Sequence, residues 1–263
     1  MTLTRTINAF NTATASENKI HDDATAAKFG FVGGLVPGVD VFAYMAHGPM
    51  KVWGLDWLSE GGMRAKFITP VYDGDDATLS AQIVGDDGLK LELTSRDKLC
   101  GAGSALLLIE GPSPEIPPRG KQPALDARPP ASMTSLPVGL VMGYPLETYS
   151  AELGREHLDM VREERLLYDD GRICNPAYLL RRINYILATN VKLGPWIHVE
   201  SDVRMHSLAV DGEVLDVRAV VSDNLNHKGH LIVTLSFAVL AGNERLVMTG
   251  AHRAIYEPRQ VRG

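Results

Sequence analysis

Two stretches of the chain carry apolar residues at helical spacing. In the first, Val39, Phe42, Ala43 and Ala46 mark one face of a segment covering 39–47. The turn Gly33-Gly34-Leu35-Val36-Pro37-Gly38 opens it, and Gly48-Pro49 predicts that it ends or kinks there. In the second, Leu179, Leu180, Ile183, Leu187 and Val191 form a buried stripe over 177–191. Asn175 is placed as its N-cap, with Pro176 at the first helical position.

Strands follow each helical segment, and the two sets match. Residues 63–75 parallel 205–213, each closing on Asp-Gly and an acidic residue. Residues 77–84 parallel 214–221, 89–94 parallel 230–237, and 102–109 parallel 246–254, with Asp86-Asp87-Gly88 and Asn226-His227-Lys228-Gly229 as turns. A helix followed by four antiparallel strands, twice over, predicts an α+β fold. Residues 152–165 predict one further, charge-rich surface helix.

Nine of the 15 prolines lie between Pro112 and Pro145. Such a run supports neither a helix nor an internal strand, so it reads as an extended connector. The expected organisation is a first half at 1–111, a linker at 112–145 and a second half at 146–263.

Composition narrows the function. Lys and Arg number 26 and Asp and Glu 32, for a net charge of −6, and no long basic run is present. Nucleic acid is therefore not an expected partner. The 45% hydrophobic and 22% charged content suits a soluble globular protein, and no apolar run reaches the roughly 18 residues of a membrane span. The start, Met-Thr-Leu-Thr-Arg-Thr, lacks the apolar core of a secretory signal. Cys100 and Cys174 cannot staple a fold of this size, so a cytoplasmic protein with free thiols is expected. The eight histidines are scattered without metal-ligand spacing, and no metal site is expected.

Candidate chemistry gathers before the first helix. Ser16-Glu17-Asn18 and Asp22-Asp23, taken alone, fit helix capping. His21, with an ordinary pKa near about 6.5, fits acid/base work. The Gly38 N–H at a helix start favours an anion, and glycine allows a ligand close to the backbone. Together with Phe67-Ile-Thr-Pro-Val-Tyr-Asp-Gly-Asp75, this region resembles the MaoC-type, (R)-specific enoyl-CoA hydratase family. That family's motif runs Asp, any residue, Asn, Pro, any residue, His, and its central helix opens on His-Gly. Asn18 and His21 match the motif, Asp23 matches an acidic position two after the His, and Gly38 matches the helix start. Ser16 stands in place of the motif Asp, Lys19 in place of Pro, and Pro37 in place of the helix-start His. The resemblance spans the first half and reaches the second through the fold pattern alone.

The resemblance implies a double hotdog, two long helices each wrapped by an antiparallel sheet and joined into one continuous sheet. It also implies a hydratase or dehydratase acting on an acyl thioester carried by CoA or a carrier protein, with no further cofactor. In that reading His21 is the acid/base, Asn18 orients it, and Ser16 holds a water where the family has Asp. Gly38 N–H serves as oxyanion donor, beside Pro37 and Gly34. Glu17, Asp22 and Asp23 are the candidate substitute carboxylates. Two alternatives stay open: a hotdog thioesterase using Glu17 or Asp22, and a non-catalytic module binding an acyl or other apolar ligand. The second half lacks an Asn-x-x-His motif and is expected to carry no site of its own. The expected partner is a small-molecule acyl thioester, with no membrane and no nucleic acid, and a homodimer is left open. His47 reads as a helix C-terminal charge, His198, His206, His227 and His230 as surface or structural residues, and Arg181-Arg182 as a solvated face.

Overall fold

The computed structural model describes residues 1–14, 16–112 and 114–259. The first half comprises β1 (Thr2–Asn8), the short α1 (Asp23–Lys28), the long α2 (Gly38–Trp53), α3 (Leu55–Glu60), β2 (Gly62–Phe67), β3 (Asp76–Val84), β4 (Gly88–Ser95) and β5 (Lys98–Leu106). After the connector come β6 (Val141–Met142), β7 (Glu147–Thr148), α4 (Ala151–Met160), the long α5 (Pro176–Asn190), β8 (Ile197–Met205), β9 (Val214–His227), β10 (His230–Ala241) and β11 (Arg245–Glu257).

The strands form one antiparallel sheet in the order β1-β3-β4-β5-β2-β8-β11-β10-β9-β6, with β7 also on β9. Read outwards from the centre, the two halves repeat: β2 corresponds to β8, β5 to β11, β4 to β10 and β3 to β9. The seam is the β2–β8 pair, where Met63 faces Val203 and Ala65 faces Ser201. The sheet wraps α2 and α5, which also touch one another.

The helices follow from their patterning, with one departure. Asn175 caps α5 by accepting from the Ala177 N–H at 2.8 Å, with Pro176 in the first turn. The first long helix does not stop at Gly48-Pro49; α2 runs through both to Trp53. Pro49 removes only the N–H that would bond the Met45 carbonyl. Gly48 lies flat on the sheet, where a Cβ would stand 3.0 Å from the Ala81 Cβ. Burial of Met50 beyond it holds the last turn in the core.

Among the described residues no helix is long and apolar enough to cross a membrane. The connector is more than a tether, because Leu136 is fully buried and Val141–Met142 pairs with β9.

Candidate active site

The site forms where the loop before α2 meets the chain entering β8. Asn18 is the joint. Its Oδ1 accepts from the Ile20 N–H at 3.3 Å, closing a 3-10 turn over Lys19–His21, and from the Trp196 N–H at 3.1 Å. Its Nδ2 donates to the Trp196 carbonyl at 2.9 Å and lies 3.3 Å from His21 Nε2. A first-half side chain thus satisfies both backbone groups of a second-half residue in a buried position.

His21 is held in one tautomer. Its Nδ1 lies 2.6 Å from the Leu35 carbonyl, which can only accept, so Nδ1 carries the hydrogen and Nε2 keeps its lone pair when the ring is neutral. Burial lowers the His21 pKa below its ordinary value. The Leu35 carbonyl opposes that shift, and the Arg181 charge adds to it. Asn11 Nδ2 donates to the His21 carbonyl at 3.0 Å and fixes its backbone.

The other sequence candidates are placed as follows. Ser16 Oγ accepts from the Asn18 N–H at 3.0 Å, which shapes the turn. Glu17 is 88% exposed and reaches Arg128 only at 4.0 Å. Asp22 caps α1 through the Thr25 N–H at 3.0 Å. Asp23 accepts from the Gly34 N–H at 2.7 Å, so that donor is taken, and Gly34 presses against His21, where a Cβ would stand 2.1 Å from its carbonyl oxygen. Among the described residues no carboxylate is a hydrogen-bond partner of His21.

Pro37 precedes α2 without a side-chain cap, and its carbonyl accepts from Asp40 and Val41. The Gly38 and Val39 N–H groups have no partner among the described residues, so the positive end of a 16-residue helix is open. What crowds Gly38 is the other half. A Cβ there would stand 3.0 Å from both Nδ1 and the carbonyl oxygen of His198, at the start of β8.

Two cavities meet at this place. One, of about 230 Å³, is mainly apolar and extends past Phe31, Val41, Phe67, Val71, Cys100 and Ile255. The other, of about 620 Å³, includes Thr12, Ser16, Arg128, Arg181 and Lys192 in its wall. Asn18, His21, Pro37, Asn184 and Trp196 line both, so His21 stands at the neck between the apolar chamber and a larger cavity of mixed lining that carries Arg128, Arg181 and Lys192.

Comparison with known proteins now bears on the architecture. No family model matches the chain, and no curated protein matches it. Solved structures do. A candidate MaoC-domain dehydratase of Chloroflexus aurantiacus is 12% identical with a TM-score of 0.63, over 98% of this chain and 95% of that one. A conserved Mycobacterium tuberculosis protein described as a double hotdog is 12% identical with a TM-score of 0.62, over 97% and 95%. A candidate thioesterase II of Thermobifida fusca is 13% identical with a TM-score of 0.50, over 89% and 90%. The chain has the double hotdog fold.

The two hotdog halves are unequal. At the start of α5 in the second hotdog the space is filled. Tyr149, His157, Tyr168 and Cys174 are all buried there, and the Tyr149 hydroxyl donates to the Gly171 carbonyl at 2.7 Å. Burial drives the His157 pKa down to about 3 and keeps its ring neutral. Even so, the second hotdog contributes to the first one's site. Arg181 is not a solvated face. It pairs with the fully buried Asp40 and donates to Thr12 Oγ1 at 3.1 Å, while that hydroxyl donates to Asp40 Oδ2 at 2.6 Å. Arg182 is likewise buried, paired with Glu147 and stacked on Tyr178.

Of the two readings for His198, surface or structural, the second holds: it is 5% exposed, lines the apolar cavity, packs edge-on to Phe67 and stacks near His252. His47 is buried as well, with Nδ1 2.9 Å from Glu163, which also binds Arg5. Sequence reasoning gave Arg181 and His198 no place at the site and did not single out Asn184 or Trp196. For the two on α5 the available signal was a second stripe: Arg181, Asn184 and Ala188 follow one another at spacings of three and four beside the apolar stripe, and Lys192 continues the spacing just past the helix end.

Proposed function

We propose that the protein is a hydratase or dehydratase of acyl thioesters. The observation that carries this reading is the position of His21. It stands in one tautomer with Nε2 at the neck of an apolar cavity, close to the open start of α2. An acyl chain fits the apolar chamber, where desolvation favours it. The larger cavity, with Arg128, Arg181 and Lys192 in its wall, suits the carrier arm.

The chemistry follows from these groups. His21 Nε2, which at rest accepts from Asn18 Nδ2 at 3.3 Å, exchanges that contact for a water and takes a proton from it as the water oxygen bonds to the β-carbon of the enoyl thioester. The carbon–carbon π pair moves to the α-carbon and the thioester oxygen, and the Gly38 N–H faces the negative charge that builds there. The protonated His21 then returns the proton to the α-carbon. Water is added and the catalyst is restored; dehydration is the reverse. A depressed pKa suits the first step, since it keeps the ring in its basic form near neutral pH.

The thioesterase reading asks for a carboxylate at the helix start. Glu17 stands in solvent, Asp22 caps α1, Asp23 holds the Gly34 N–H, and Asp40, the carboxylate in the first turn of α2, is paired with Arg181. That favours water addition, in which His21 moves the only proton. Incubation with crotonyl-CoA and with longer or branched enoyl-CoAs, following enoyl absorbance and free thiol together, tests it. Loss of the enoyl band without thiol release is the expected result.

A further inference from the structure

Two side-chain amides line the neck between the cavities, and they are not equivalent. Asn18 is fully engaged: Oδ1 accepts two backbone hydrogens, and Nδ2 serves Trp196 and His21. Asn184, across the neck on α5, has no hydrogen-bond partner among the described residues. Its Oδ1 is shut away from solvent, which leaves Nδ2 as the end available to the cavities that Asn184 lines. The buried Oδ1 gains nothing from a ligand in the cavity; what bears on a ligand is that Nδ2, the donor end toward the cavities, carries no hydrogen bond to any described residue.

Its place follows from the seam. Arg181, one helical turn earlier, is fixed on Asp40 in the first turn of α2. Asn184 shares the wall of the apolar cavity with Pro37 and Gly38, where α2 begins. The Arg181 Nη atoms are anchored on Asp40 and Thr12, and its Nε is shut away. Arg181 lines the larger cavity and not the apolar one, whereas Asn184 lines the apolar cavity together with Gly38.

We propose that Asn184 donates from Nδ2 to the carbonyl oxygen of the bound thioester, so that the oxyanion is held by one donor from each hotdog: the Gly38 N–H and the Asn184 carboxamide. This inference rests on the hydratase reading and adds a catalytic residue to it. A carboxamide suits the role, because it is a neutral donor that polarises the carbonyl without competing with His21 for the proton. In a cavity shielded from water such a donor acts more strongly than in bulk solvent. It also gives the second hotdog, whose own helix start is filled, a share in the chemistry of the first.

The test uses the full chain and two readouts. The first is binding of 2,4-hexadienoyl-CoA to H21A, where turnover is removed. The band of this conjugated thioester moves to longer wavelength when its carbonyl is polarised. H21A should bind and shift the band, whereas H21A/N184A and H21A/N184D should bind with little or no shift. The second is crotonyl-CoA hydration by N184A, where kcat should fall by about 10²–10³ with KM nearly unchanged. The isosteric N184D should fall further, since its carboxylate repels the enolate, while both single variants melt close to wild type. An undiminished shift or an undiminished kcat overturns the proposal. So does a fall in kcat that tracks loss of folded N184A and is missing from folded N184D. If wild type hydrates enoyl-CoA and N184A matches it, only this inference fails. If wild type neither binds nor hydrates any thioester, the hydratase reading fails and this inference falls with it.

Discussion

Arg181 of the second long helix grips Asp40 in the first turn of the first, and the pair locks the two hotdogs together beside His21. Asp40 is fully buried and Arg181 is 11% exposed. Removing one partner strands a charge in the interior, which costs about 3–5 kcal/mol, whereas removing both is far milder. D40N and R181M should each lower unfolding free energy by about that amount, and D40N/R181M should recover part of it. Urea titration of the three variants measures this; equal losses in singles and double would contradict it.

The same Arg181 acts on His21 through space. Burial, then the Arg181 charge, hold the His21 pKa below its usual value against the pull of the Leu35 carbonyl. The base form should therefore persist below about pH 6.5, and the acid limb of kcat/KM should lie beneath that value. R181M/D40N should move the limb upwards. The sign for stability follows too: a depressed folded pKa gives stability that is present above about pH 6.5 and lost as pH falls through it towards the folded value. A pH series of activity and of melting temperature checks both.

Asn18 bridges the halves through both backbone groups of Trp196. N18A leaves those groups unpaired in a buried place. Each orphan costs about 1–3 kcal/mol, so the variant should melt lower and also lose hydration, because His21 loses its neighbour. An N18A protein with wild-type stability would show that the bridge carries no energy.

Gly38 is held by packing. G38A places a methyl 3.0 Å from Nδ1 and the carbonyl oxygen of His198. Neither β8 nor the helix start can give way freely, so a loss of about 1–3 kcal/mol is expected, along with lower activity as the N–H shifts. Thermal unfolding and crotonyl-CoA turnover measured side by side decide this.

Much of the fold was legible because it is written in local periodicity. The apolar stripes of the two helices and the paired Asp-Gly turns give the repeat, and β2, β3, β4 and β5 with β8, β9, β10 and β11 follow from it. Strand β1 was not legible. Its alternation runs Leu3, Arg5, Ile7, and a charge at the middle inward position hides it. Arg5 can turn inwards only because Glu163, 158 residues later, receives it. The passage of α2 through Gly48-Pro49 was hidden for a related reason: tertiary packing outweighs the local break. At the site, Asn18, His21 and Gly38 lie on one continuous stretch of chain and were marked by the resemblance of their motif to the hydratase family. Arg181, Asn184, Trp196 and His198 were not, because they reach the neck only through the pairing of β2 with β8 and the contact of α2 with α5.

The central claim is that His21 moves the proton in adding water to an enoyl thioester. It is tested most directly by comparing wild type with H21A on crotonyl-CoA at neutral pH, following the enoyl band and free thiol in the same sample. The account predicts that wild type consumes the enoyl band without releasing thiol, and that H21A stays folded and falls to the uncatalysed rate. Thiol release by wild type, or H21A turning over as fast as wild type, would contradict it.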